Sequence, residues 1–129
     1  MVVLDTATLL WWTLAPHELS EKAKNILAKV SAENQAIVSS ISLWEIALKV
    51  ARKKLAIGME IEYFAEQLEH SGLVEIVPVD HKLWISSVAL NWSHKDPADR
   101  VIVALAKERG AKLVTSDKIV SEFFEPVVW

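Results

Sequence analysis

Val2-Val3-Leu4-Asp5-Thr6 is an uninterrupted apolar triplet that stops on a carboxylate. Three apolar residues without polar alternation predict a strand covered on both faces. The pattern returns at Ala36-Ile37-Val38, at Val74-Glu75-Ile76-Val77 and at Lys112-Leu113-Val114-Thr115, and Pro126-Val127-Val128-Trp129 adds an edge strand. Between these runs apolar residues recur at helical spacing. They predict a short helix near 6–13, a helix over 19–32 capped by Ser20, and helices over 42–55, 60–70, 80–91, 96–108 and 118–124. Short strands alternating with helices predict an α/β fold. Its central, mostly parallel sheet of four to five strands carries helices on both faces, in a single domain spanning residues 1–129. Val101-Ile102-Val103-Ala104-Leu105-Ala106 is apolar all round, which predicts a buried helix.

A chain of 129 residues can bury a core without covalent staples. It has no cysteine, which excludes disulfides, thiolate metal sites and a cysteine nucleophile. Although 52% of residues are hydrophobic, no window approaches the length of a membrane span. The first residues have no basic segment and meet an acid at once, so no signal peptide is expected and a cytoplasmic protein is. The net charge of −3 argues weakly against nucleic-acid binding. Lys49, Arg52, Lys53 and Lys54 nevertheless supply a local basic face. Of the six tryptophans, each alone is expected to pack, and at least one of the set to serve an interface.

Four acids stand where strands end and helices begin. Asp5 follows the first strand and Asp117 the fourth; Glu45 and Asp99 each lie one turn into a helix. Ligands of open α/β sheets bind beyond the carboxyl ends of the strands, so these acids are expected to share one rim. Each also has a structural reading. Ser42-Leu43-Trp44-Glu45 reads as a capping box, with Glu45 and Lys49 as an i, i+4 pair. Asp96-Pro97-Ala98-Asp99 reads as an Asp cap, Pro at the first helical position and an acid in the first turn. Asp117 reads as the cap of the last short helix. Asp5 is harder to explain this way, because a carboxylate beside an apolar core needs a partner. Acids gathered at one rim repel one another unless a hard cation neutralises them, and an all-oxygen set suits Mg²⁺ or Mn²⁺. Lys49, Arg52 and Lys53 lie on the helical face of Glu45 and are placed to guide a phosphate backbone toward the acids. Arg100 is expected either to pair with Asp96 or to touch a phosphate. His17, His70, His81 and His94 show no metal-ligand spacing; His94, close before the Asp96 cap, is either near the site or, as favoured here, a surface residue.

Taken in order, Val3-Leu4-Asp5-Thr6, Ser39-Ser40-Ile41-Ser42-Leu43-Trp44-Glu45-Ile46-Ala47, His94-Lys95-Asp96-Pro97-Ala98-Asp99-Arg100 and Val114-Thr115-Ser116-Asp117 resemble a PIN domain. The likeness is greatest to the VapC-type toxins of bacterial toxin–antitoxin pairs, and it covers essentially the whole chain. The resemblance implies a Mg²⁺- or Mn²⁺-dependent endoribonuclease that cleaves RNA with metal-activated water. Asp5, Glu45, Asp99 and Asp117 would be its catalytic acids, and Asp5, Asp99 and Asp117 its metal ligands. Thr6, Ser42, Asp96 and Thr115 would support them from behind, with Arg100 beside Asp99 joining them. The aromatic surface and the Lys49–Lys54 stretch would be contact candidates for an antitoxin, beside the RNA contacts read above for Lys49, Arg52 and Lys53. A small antitoxin protein and a homodimer are the partners it implies. The alternatives are a phosphoacceptor signalling domain and a non-catalytic binding module of similar fold. The first fits poorly, because the third strand ends in Val77-Pro78-Val79-Asp80.

Overall fold

The computed structural model describes residues 1–129. Five strands form one sheet: β1 (Val2–Leu4), β2 (Ala36–Ser39), β3 (Val74–Val77), β4 (Lys112–Val114) and β5 (Val127–Val128). Their order is β3-β2-β1-β4-β5, and every pair is parallel. The predicted edge strand is present as β5. Seven α-helices complete the fold: α1 (Thr6–Leu14), α2 (Glu21–Leu27), α3 (Ser40–Ala51), α4 (Ile61–His70), α5 (His81–Ala89), α6 (Pro97–Arg109) and α7 (Lys118–Phe123). A 3₁₀ turn at Pro16–Glu18 links α1 to α2 and was not expected from the sequence.

The sheet is buried because its strands point alternate side chains to opposite faces. Val2 and Leu4 join one core with Val38, Leu9, Leu27, Ile46, Phe64 and Leu68. Val3 joins the other with Ile37, Leu113, Leu83 and the apolar stretch of α6. Every residue from Val101 to Ala106 is buried, as its all-round apolar character requires. α6 stops at Gly110, whose left-handed φ of 59° lets its amide turn back onto Ala106 and Lys107 carbonyls.

Helix boundaries differ from the sequence reading chiefly at the end of α2 and at both ends of α3, which stops at Ala51 rather than Leu55. α2 ends at Leu27, not Ala32, because the chain tightens through i→i−3 bonds from Lys29 and Val30 and bridges Ser31 to Asn34 before β2. α3 starts at Ser40, not Ser42. Pairing of Ser39 with Val77 carries β2 directly into the helix, and Ser39 is the cap, its hydroxyl accepting from the Ile41 amide at 3.2 Å. The Ser42–Glu45 capping box is therefore absent.

The tryptophans divide as their surroundings dictate. Trp11 packs on Trp129 with ring centroids 5.5 Å apart, and Trp92 stacks on Phe123. Trp44 and Trp84 are exposed and flank an apolar hollow with Ile41, Val79 and Pro97. No helix is long and apolar enough to cross a membrane.

Chain order fixes where a ligand can enter. From β1 the chain winds through β2 and β3 on one side, then crosses to β4 and β5 on the other. The reversal between β1 and β4 opens a crevice at their carboxyl ends. Asp5 and Thr115 are the residues that follow those two ends.

Candidate active site

Asp5 is buried at this crevice with only 9% of its surface exposed. It caps α1, one carboxylate oxygen accepting from the Thr8 amide at 2.9 Å, and the other accepts a short hydrogen bond from the Thr115 hydroxyl. The Thr115 oxygen in turn accepts from the Asp117 amide at 3.0 Å. Asp117 caps α7 by accepting from the Ile119 amide at 2.8 Å. A second tie crosses the same join, from the Thr8 hydroxyl to the Val114 carbonyl at 2.9 Å. One hydroxyl, Thr115, thus links the ends of β1 and β4 to the start of α7.

Thr6 and Ser42 tie the opposite wall. Both are buried, and the Thr6 hydroxyl donates to that of Ser42 at 2.9 Å, which fixes α3 against the start of α1. Glu45 follows Ser42 by three residues, on the same side of the helix. Its carboxylate stands 3.9 Å from the Lys49 ammonium, so the i, i+4 pair is present as a loose, half-exposed contact.

α6 supplies the remaining acids. Asp96 caps it by accepting from the Asp99 amide at 3.0 Å, with Pro97 at the first helical position, as the sequence predicted. Asp99 occupies the first turn, where His94 Nε2 lies 2.7 Å from its Oδ2.

Asp5, Thr6, Glu45, Lys49, Asp96, Asp99 and Asp117 line one cavity of about 420 Å³. The capping and site readings of the acids hold together: Asp5, Asp96 and Asp117 cap helices whose amide ends face this same space. Their electrostatics agree with the convergence. Burial above all pushes the Asp5 carboxyl above its ordinary value, the Thr115 and Thr8 hydrogen bonds oppose this, and the Asp117 charge adds to it. Burial likewise raises Asp99 against the His94 hydrogen bond, and the Asp96 and Asp117 charges raise it further.

The donor set fits a hard divalent cation. Its candidate donors are all oxygens, it carries excess negative charge, and no buried side-chain oxygen in the protein lacks a partner. The oxygens of Asp99, Asp117 and Glu45 that carry no protein hydrogen bond are therefore open to solvent. The side chains line the cavity without three of them closing on a common point. Hard ions that retain several waters need only one or two direct carboxylates in such a space.

Three sequence expectations need correction. Arg100 neither pairs with Asp96 nor faces a phosphate, because its guanidinium donates to five backbone carbonyls between Ser87 and His94. His94 is not a free surface residue but a partner of Asp99. Lys53 lies beyond the end of α3 in a left-handed conformation, φ 57°, so the helical count that placed it with Lys49 fails. Lys54 takes that place. With Lys49, Arg52, Trp44, Glu45 and Asp96 it lines a second cavity, which meets the first at Glu45, Lys49 and Asp96. No helical spacing signals Lys54, and for His94 the one sign is its closeness to the Asp96 cap, since each is positioned by an irregular segment.

The fold and cavity together define a doubly wound α/β protein whose switch point is walled by carboxylates. The chain belongs to the PIN domain family, which it matches over residues 2–124. It is 33% identical over 119 residues to ribonuclease VapC22 of Mycobacterium tuberculosis, across 91% of this chain and 87% of that protein. Among solved structures it resembles VapC20 of Mycobacterium tuberculosis, described as a sarcin-ricin loop cleaving toxin. The TM-score is 0.69 at 18% identity, over 98% of both chains. A toxin–antitoxin complex from Klebsiella pneumoniae matches with a TM-score of 0.65 at 21% identity, over 100% of this chain and 97% of that one. At such identities the two structures speak for the fold alone.

Proposed function

We propose that this protein is a divalent-metal-dependent endoribonuclease and the toxin of a toxin–antitoxin pair. The observation that carries the reading is the single cavity lined by Asp5, Glu45, Asp96, Asp99 and Asp117 at the β1–β4 switch point. The 33% identity to a VapC ribonuclease and the family's general dependence on divalent metal support it. A small antitoxin protein, a homodimer and a cytoplasmic setting belong to the same reading.

Asp5, Asp99 and Asp117 are the residues that would hold Mg²⁺, or Mn²⁺ in its place, and Glu45 would complete the set or orient a water. A bound cation of this kind supplies an activated water and neutralises charge on the phosphate under attack. Thr115 and Thr8 hold the Asp5 carboxylate in one orientation, and the Thr6–Ser42 pair holds the wall that bears Glu45. Asp96 fixes the first turn of α6 and with it Asp99. Lys49, Arg52 and Lys54 line the approach, where a phosphate backbone would be drawn toward the acids.

The test is cleavage of a mixed RNA substrate in Mg²⁺, Mn²⁺ or EDTA by wild type and by Asp5→Asn. Cleavage that needs metal and disappears in the variant supports the reading. Undiminished cleavage by a pure Asp5→Asn preparation overturns it.

A further inference from the structure

Residues 90–96, which join α5 to α6, form no regular structure and leave a row of backbone carbonyls to satisfy. Arg100 satisfies them. Its Nε donates to Ser87 O at 2.9 Å, its Nη1 to Trp92 O at 2.6 Å and His94 O at 2.8 Å, and its Nη2 to Val88 O at 3.2 Å and Leu90 O at 2.8 Å. A guanidinium has five N–H groups, and here each has an acceptor. The segment is thus wrapped around one rigid, planar cation anchored in the first turns of α6. Aromatic packing fixes it from the other side. Trp92 stacks on Phe123 of α7 at 4.5 Å with 6° between the planes, and lies 4.8 Å from the His94 ring. Backbone and ring of His94 are both held, and Nε2 meets Asp99 Oδ2 at 2.7 Å. Asp99 lines the cavity, and its Oδ1 has no protein partner and is not buried.

We infer that His94 is a positioning residue for the Asp99 carboxylate, and that Arg100 and Trp92 hold His94 in place for it. The inference rests on the reading of Asp99 as a metal-holding acid. The Nε2–H of His94 donates to Oδ2, selects one carboxylate orientation and leaves Oδ1 toward the cavity. Lysine cannot replace Arg100, since one ammonium has three donors and no fork. Glutamine can replace His94 in part, since its terminal amide is also a donor.

The experiment measures binding of Mn²⁺ alone to purified, RNA-free protein by titration calorimetry. The proteins are wild type, Asp5→Asn, His94→Ala, His94→Gln and Arg100→Lys. Loss of an outer partner of a ligand ordinarily costs about 10–100-fold in metal affinity, and that loss is expected for His94→Ala, with substantial recovery in His94→Gln. Arg100→Lys should weaken Mn²⁺ binding too and lower the melting temperature, whereas His94→Ala should melt close to wild type. In steady-state cleavage, His94→Ala should lower kcat and leave KM for RNA little changed. Mn²⁺ affinity in His94→Ala equal to wild type, while Asp5→Asn loses it, overturns the inference and leaves the metal site standing. Equal losses in His94→Ala and His94→Gln also overturn it. Absence of Mn²⁺ binding by folded wild type overturns both this inference and the reading beneath it.

Discussion

The hydroxyl of Thr115, at the end of β4, donates to the carboxylate of Asp5, at the end of the neighbouring strand β1. The bond spans 110 positions of sequence and both groups are buried, so the topology of the sheet alone brings them together. Thr115→Val keeps the shape and removes the donor. Leaving a buried carboxylate oxygen unsatisfied costs about 1–3 kcal/mol, and the Asp117 amide loses its acceptor as well. Urea unfolding should show a loss of that size, with Thr115→Ser much nearer wild type. A Thr115→Val protein as stable as wild type would show that the bond contributes nothing net.

Asp5→Asn should separate function from stability. Burial disfavours the charged form of Asp5, and Asn keeps an acceptor for the Thr8 amide while removing that charge. In EDTA the variant should melt above wild type. With Mg²⁺ added, only wild type should be stabilised further, because binding to the folded state alone shifts the equilibrium. A variant that melts below wild type in EDTA would mean that the Thr115 bond outweighs the burial penalty.

The same shifts give the pH dependence its sign. Asp5 and Asp99 both sit above the ordinary value of 3.8 in the folded protein. Between that value and their folded values the native state binds more protons than the unfolded chain. Their contribution is fully present below 3.8 and is lost as pH rises through the folded values. Metal-free protein should therefore gain stability as pH falls through those folded values toward 3.8, by at most about 1.4 kcal/mol per pH unit for each group. Glu75 acts the other way. Its carboxyl is lowered by the hydrogen bonds of Arg109, so its contribution holds above 4.5 and fades as pH falls through its folded value. Its side chain is 41% exposed, so solvent screening keeps its weight small. Unfolding in EDTA across pH checks this, and Asp5→Asn should flatten the slope.

How much the sequence disclosed follows from the range over which each feature is decided. Val2-Val3-Leu4 and Val101–Ala106 are decided locally, by apolar runs that only burial on all sides can satisfy, and both stand as expected. Asp96 and Asp117 are caps within four residues of what they cap, and so were visible. The start of α3 was not. Ser39, Ser40 and Ser42 can each cap a helix, and the choice depends on how far β2 pairs with β3, which is tertiary. The carbonyls that Arg100 collects and the Phe123 ring under Trp92 are likewise set by the folded path of an irregular segment. No periodicity records such a path, which is why His94 read as a surface residue.

Lys53 and Lys54 turn that difference into a measurement. A helix continued through residue 53 would place Lys53 on the face of Lys49. Instead α3 ends at Ala51, Lys53 adopts φ 57°, and Lys54 lines the cavity with Arg52 and Lys49. Each lysine or arginine that neutralises a phosphate releases counterions, so its removal should reduce the salt slope of RNA binding by about 1. Binding is best measured on the Asp5→Asn background, where RNA stays intact. Lys54→Ala and Arg52→Ala should each weaken binding and flatten the salt dependence, while Lys53→Ala should do neither. Equal effects of Lys53→Ala and Lys54→Ala would mean that RNA reads the basic tract as a diffuse charge rather than following the cavity.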